Sequence, residues 1–255
     1  MNDLRPTERF SDRVADYVRY RPDYPRALVD WLHTLGVRPH WRVADVGAGT
    51  GISSKLFLDA GHPVTAVEPN AAMREAAMRW LGAESRFTVV DGRAEATGLA
   101  DGSVDLVTVA QAFHWFDREA VRAEFARMLS SHGLVVVFWN TRRLVGTPFL
   151  EGYERLLREY GIDYAGVAER YADDDSMARW FGAGYRGKAS FAHGQKLDHD
   201  GLLGRTQSSS YMPRVGHPNH EPMLAALRSL FDATQDGGFI DFDYDTRVFA
   251  GRPDA

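Results

Sequence analysis

From Arg42 onward the chain alternates short apolar runs with longer stretches in which apolar residues recur every three or four positions. Short apolar runs bounded by turn residues predict buried strands, and the 3.6-residue recurrence predicts helices packed over them. The strand pattern falls on 42–47 (RVADVG), 63–68 (PVTAVE), 86–91 (RFTVVD), 103–112 (SVDLVTVAQA) and 133–140 (GLVVVFWN). Helices are predicted over 51–61, 70–82 and 117–130, with Asn70 a suitable cap and Gly61 and Gly82 suitable stops. Such alternation predicts an α/β fold with a parallel sheet covered on both faces and wound by right-handed crossovers. Residues 1–40 read as helical, broken at 20–25 (YRPDYP), with Pro25 suited to open the second helix. Beyond residue 150 the pattern gives helices over 149–160 and 221–233 and strands over 185–192 and 239–251. The acidic stretch 163–177 reads as a solvated loop rather than a metal site at Asp173–Asp175.

Composition narrows the class. At 255 residues the chain suits a single domain, and it has no apolar run long enough to span a membrane. Its first residues, MNDLRPTERFSDR, are polar and do not read as a signal peptide. Cysteine is absent, which excludes disulfides and a thiolate nucleophile and fits a cytoplasmic location. The net charge of −5, with Arg142-Arg143 the one notable basic cluster, favours a small-molecule partner over nucleic acid.

The chemistry-bearing pattern is DVGAGTG at 45–51, directly after the first strand. In an open α/β sheet, ligands sit beyond the carboxyl ends of the strands where the winding reverses, and the first turn borders that crevice. Gly47 permits a sharp bend, Gly49 lets backbone approach a ligand, and Gly51 lets the next helix pack close to the strand. The spacing is G-x-G-x-G; the third glycine of a dinucleotide fingerprint would fall on Ile52. Glu68 ends the second strand, where a carboxylate can accept both ribose hydroxyls. Asp91, ending the third, can accept an adenine amine, with the N–H of Arg93 or Ala94 facing a ring nitrogen. Three such residues at three successive strand ends make a nucleoside-shaped site.

DVGAGTG, VEPNAAM, VVDGRAEATGLADGSVDLV and VAQAFHWFD together resemble the successive motifs of the class I S-adenosylmethionine-dependent methyltransferases, most nearly the small-molecule type 11 group that includes trans-aconitate-methyltransferase-like proteins. YRPDYP is similar to that group as well, and the matching motifs span 17–140. The resemblance implies a Rossmann-like, seven-stranded, mostly parallel sheet with its last strand antiparallel. It further implies one methyltransferase domain over 1–255, with an N-terminal helical cover (1–40), a cofactor-binding core (41–145) and substrate-side helices and last strands (146–255). Asp45, Gly47, Ala48, Gly49 and Gly51 would lie along the methionine moiety, Glu68 would hold the ribose, and Pro69 and Met73 would flank the adenine. Asp91, Gly92, Arg93 and Ala94 would bind the adenine edge, with Gln111 and Ala112 beneath the sulfonium.

The reaction implied is in-line methyl transfer to an oxygen or nitrogen of a small molecule, a carboxylate among the candidates. A carboxylate would need no general base; a phenol or amine would. His114 is the polar catalytic candidate, competing with a purely orienting role. Tyr20 is expected to close over the methyl site and Arg21 to pair with a carboxylate of cofactor or substrate. Trp115, Phe116, Trp139 and Tyr211 are the expected substrate walls. The segment 206–214 (TQSSSYMPR) reads either as part of that pocket or as a capped loop with solvent-facing serines, and HPNH at 217–220 does not read as a metal site. An NAD(P)-dependent oxidoreductase and a non-catalytic cofactor-binding regulator remain the alternatives. The expected assembly is a monomer or homodimer.

Overall fold

The computed structural model describes residues 20–162, 164 and 174–253. Seven strands form one sheet: β1 (Val43–Val46), β2 (Val64–Val67), β3 (Phe87–Val90), β4 (Val104–Ala110), β5 (Leu129–Arg142), β6 (Tyr185–Leu197) and β7 (Ile240–Gly251). Their order is β3-β2-β1-β4-β5-β7-β6. The first five pair in parallel, and β7 runs antiparallel to both β5 and β6. The winding direction reverses between β1 and β4, which opens a crevice at their carboxyl ends.

Helices cover both faces, and the period-two alternation of the strands decides which side chains meet them. On one face Leu134, Val136 and Phe138 of β5 pack with α1 (Ala27–Thr34), α2 (Ile52–Asp59) and part of α3 (Ala71–Leu81). On the other, Val135, Val137 and Trp139 pack with α4 (Arg118–Met128) and α6 (Asp174–Phe181). A third cluster joins α5 (Pro148–Tyr160), α7 (His199–Gln207) and α8 (His220–Thr234) to Phe242 and Tyr244 of β7. Gly152 lets α5 and α8 close on each other, since a Cβ there would stand 2.4 Å from Leu230.

The structure departs from the sequence pattern in four places. Residues 129–132 belong to β5, which takes the last two positions of the helix expected over 117–130, with a register irregularity opposite β4. The acidic stretch ends in α6, because Met177, Trp180 and Phe181 share a buried face while Asp174 and Asp175 occupy the first turn. The rest of that stretch, Asp173 included, lies outside the described residues apart from Tyr164, as does the helix expected before residue 20. The short helix α7 follows β6 where none was expected. Pro25 stands before Arg26, the cap of α1, so it precedes the helix and does not open it.

The long connection from β3 to β4 is clasped by Glu124 on α4. Its carboxylate accepts from the Thr97 N–H (2.8 Å), the Thr97 hydroxyl and Arg127. The Arg127 guanidinium, followed by the two Thr97 donors, holds the Glu124 carboxyl down at about 2, below its ordinary 4.5. A carboxyl lowered in the folded state contributes stability above its unfolded pKa and loses it as pH falls toward the folded value. The clasp should therefore be at full strength above 4.5 and fade between 4.5 and 2. Urea midpoints measured across that interval should show a Glu124→Gln protein less stable at neutral pH and converging with the parent in acid. Parallel curves would contradict the assignment.

Candidate active site

The turn after β1 is held from beneath by Asp45. This carboxylate has no solvent exposure. It accepts hydroxyls from Ser53 and Ser54 on α2 (both 2.6 Å) and from Thr108 on β4 (3.0 Å). Burial pushes the Asp45 carboxyl up, and the three hydroxyls oppose that shift. Asp45 was expected along the methionine moiety; instead it is sealed beneath the turn and ties β1, α2 and β4 together.

The three glycines of the turn all have positive φ. A Cβ on Gly47 would stand 2.7 Å from Ala112 and 3.1 Å from Phe116, so the turn after β4 is pressed onto this residue. A Cβ on Gly51 would meet Leu81 at 2.7 Å, so this glycine lets α2 close on α3, not on the strand. A Cβ on Gly49 would meet nothing within 4 Å: its backbone faces open space. The Gly49 N–H donates to Glu68 Oε2 (2.9 Å), and Glu68 Oε1 accepts the Asn70 N–H (2.8 Å). Burial raises the Glu68 carboxyl, against which those two N–H groups act.

Farther along the strand ends, Asn70 caps α3 by accepting from Met73 N–H; Met73 is buried and Pro69 half-buried. Asp91 is 69% exposed and held bidentate by Arg74, with Nη1 and Nη2 at 3.0 and 2.9 Å. Gly92 is squeezed between Val67 and the Thr97 carbonyl. The Arg93 N–H is committed to the Ala96 carbonyl, which leaves Ala94 as the backbone donor outside that bridge. Glu68 and Asp91 thus stand at adjacent strand ends beside the turn, as expected from the sequence.

A cavity of about 260 Å³ opens beside the turn. One wall is Gly47, Ala48, Gly49, Thr50, Ile52 and Ser53, and the floor is Ala110 and Gln111. Gln111 has φ 58°, a left-handed conformation that strains a non-glycine residue by roughly 1–3 kcal/mol and clusters at functional sites. Its amide Nε2 donates to the Asn140 carbonyl at 3.2 Å. The far wall is Asn140, Thr141, Arg142, Tyr164, Arg205, Tyr211 and Tyr244. Arg21, Pro22 and Tyr24 close one side.

That closing segment is the YRPDYP strap. Asn140 donates to the Asp23 carbonyl (2.8 Å), and the Asp23 carboxylate pairs with His193 Nε2 (2.8 Å). Gln195 donates to the Tyr20 carbonyl (3.1 Å), and Arg21 Nη2 to the Ser208 carbonyl (3.0 Å). Tyr24 packs edge-on against Phe138 at 4.8 Å.

Several expected site residues lie elsewhere. Tyr20 does not line the cavity; its ring rests on α7, where a Cβ on Gly204 would come within 2.2 Å of it. His114 sits in a single 3₁₀ turn with its ring 4.6 Å from that of Trp115, and neither lines the cavity. Phe116 packs on Gly47, on the turn side. Trp139 is 2% exposed in the core beside Phe113 and Phe249, because strand alternation points it away from the Phe138 side. Tyr211 does line the cavity, and Thr206, Ser208 and Ser209 around it are buried, not solvent-facing. Asp174 pairs with Lys188 and Arg247, and His217 accepts the Asn219 N–H ahead of α8.

The residues that the sequence did not single out are Thr50, Asn140, Thr141, Tyr164, Arg205 and Tyr244. Thr50 was inside the quoted turn; its buried hydroxyl has no hydrogen-bond partner among the described residues, and neither has that of Thr141. Arg142 was visible as half of a basic pair that the strand splits. Arg142 turns into the cavity and pairs with Glu154 and with Tyr164 (2.8 Å), while Arg143 faces out to Asp245. Burial raises the Glu154 carboxyl, but hydrogen bonds from Tyr164 and Arg142 leave it below the usual range.

Residues 44–137 match the methyltransferase domain family. An uncharacterized methyltransferase of Schizosaccharomyces pombe is 32% identical over 249 residues, covering 94% of this chain and 95% of its own. An uncharacterized methyltransferase of Mycobacterium tuberculosis is 39% identical over 133 residues, and the match spans about half of either chain (52% of each). A methyltransferase structure from Anaeromyxobacter dehalogenans superposes with a TM-score of 0.70 at 24% identity, over 92% of this chain and 100% of that one, a likeness of fold. The chain belongs to the class I S-adenosylmethionine-dependent methyltransferases. No helix among the described residues is long and apolar enough to cross a membrane.

The glycines give a direct test of this geometry. Gly47→Ala adds a steric collision to a left-handed backbone and should destabilise the fold by about 2–4 kcal/mol. Gly49→Ala faces open space and should cost only about 1 kcal/mol in folding. Denaturant unfolding of the two proteins checks the order; equal losses would show that Gly49 is not at an open wall.

Proposed function

We propose that this chain transfers the methyl group of S-adenosylmethionine to a small-molecule acceptor bound between the glycine turn and the far wall of the cavity. The observation that carries the reading is the Gly49–Glu68 pair: an open backbone approach next to a half-committed buried carboxylate. Each Glu68 oxygen accepts one backbone N–H, so lone pairs remain for two ribose hydroxyls. The open face of Gly49 and the unpartnered Thr50 hydroxyl fit the cofactor's amino-acid end.

In this reading Gly47, Ala48, Gly49, Thr50, Ile52 and Ser53 hold the methionine moiety with Gln111 beneath it. Glu68 holds the ribose. Pro69 and Met73 flank the adenine, whose edge meets Asp91, Gly92 and Ala94. When bound, S-adenosylmethionine supplies a methyl group already activated by its positive sulfur. The task left to the protein is alignment and exclusion of water. The strap serves both, because four hydrogen bonds fasten it across the cavity mouth. A proton-accepting role for His114 is not part of the proposal, since the cavity walls do not include it. A general base is then required only for an acceptor that reaches the site protonated.

The test is calorimetric titration with S-adenosylhomocysteine and with NADH. The parent protein should bind the first and not the second. Glu68→Ala should weaken S-adenosylhomocysteine at least about tenfold, the loss expected for two hydrogen bonds to a charged acceptor. Binding of NADH alone would overturn the reading.

A further inference from the structure

The far wall contains a buried cation with no carboxylate partner among the described residues. Arg205, on α7, is 6% exposed, yet no Asp or Glu among the described residues lies within ion-pair distance of it. Its Nε donates to the Tyr244 hydroxyl (2.9 Å) and its Nη1 to the Ser209 hydroxyl (3.0 Å). The guanidinium also lies over the rings of Phe242 (5.3 Å) and Tyr244 (5.7 Å). A guanidinium carries five N–H donors, so these two neutral acceptors leave Nη2 and one Nη1 hydrogen without a partner among the described residues. Burying a charge against neutral groups alone is strongly unfavourable unless an ion pairs with it.

The other charges in the cavity sharpen this. Arg142 has its carboxylate, Glu154, together with Tyr164. Arg21 lines the same cavity from the strap and donates to the Ser208 carbonyl. Among the described residues no acidic side chain lines the cavity. On the side away from the glycine turn, the described wall therefore carries a net positive charge. In the reading above the cofactor's own carboxylate is placed on the turn side, beside Thr50.

We infer that Arg205, with Arg21 beside it on the cavity wall, anchors an ionised carboxylate of the methyl acceptor, which is therefore a small organic acid. The inference rests on the acceptor reading of this cavity and adds its chemical class. Tyr211, Tyr164 and Tyr244 line the cavity around the anchor and offer their rings to the remainder of such an acid. The anchor is wired to the strap: Tyr244 donates to Gln195 Oε1 (3.2 Å), and Gln195 Nε2 donates to the Tyr20 carbonyl. An acid seated on Arg205 thus fixes the group on which strap closure depends. Arginine suits this role better than lysine because its planar fork meets a carboxylate with two parallel hydrogen bonds.

The experiment is calorimetry in the presence of saturating S-adenosylhomocysteine, with benzoate, succinate and citrate as probes and benzamide and succinamide as uncharged counterparts. At least one acid should bind and its amide should not. Arg205→Met should weaken that acid at least about tenfold while S-adenosylhomocysteine affinity stays within about twofold. Should Arg205→Met not fold, Arg205→Lys replaces it: the charge remains, the fork is lost, and acid binding should again fall. Acids and amides binding equally, no acid binding at all, or acid binding indifferent to Arg205 would each overturn the inference. Arg205-dependent acid binding by a protein that ignores S-adenosylhomocysteine would support the anion site while sinking the methyl-transfer reading.

Discussion

Everything at the carboxyl edge of the sheet depends on one dry carboxylate. Asp45 is fully buried, and an isolated ionised carboxylate there would cost several kcal/mol. Three hydroxyls make it tolerable, two from the first turn of α2 and one from β4. The turn between β1 and α2 is therefore not free to relax, although three of its residues hold left-handed conformations. Its rigidity fixes Gly49, and Gly49 in turn orients Glu68 through a backbone N–H. In the proposed reading, cofactor recognition is thus a consequence of how β1 is tied to its neighbours.

The opposite side of the cavity follows a different logic. The strap, α7 and the ends of β5, β6 and β7 meet there through polar contacts between residues far apart in sequence. Asn140 is the hub: its amide nitrogen holds the strap, its carbonyl holds Gln111, and its Oδ1 accepts the Thr246 hydroxyl at 2.6 Å. The turn wall is a local motif with a fixed geometry. The far wall is assembled by tertiary structure, and it holds one arginine, Arg205, that is buried without a carboxylate partner among the described residues.

That difference explains what could be read from the residues alone. Glu68, Asp91 and the glycines were legible because strand periodicity places them at successive strand ends, where local pattern and site coincide. Strand alternation also governs Trp139, but the sequence does not say which face of β5 looks toward the cavity, and the indole belongs to the core. Tyr20 and His114 were chosen for their chemistry; packing on Gly204 and on Trp115 decided their positions. Arg205 lies in a nine-residue helix with only weak amphipathic patterning, and its lack of a carboxylate partner exists only in three dimensions. α6 was missed because acidic residues in a first turn look like a solvated loop until the buried face behind them is seen.

The most direct test of the account is a crystal structure of the chain with S-adenosylhomocysteine. The account predicts the amino-acid end along Gly47 to Ser53, the ribose hydroxyls on Glu68 and the adenine beside Asp91, with the thioether sulfur opening toward the cavity that Arg205 lines. A ligand seated elsewhere, or one whose ribose does not touch Glu68, would contradict it.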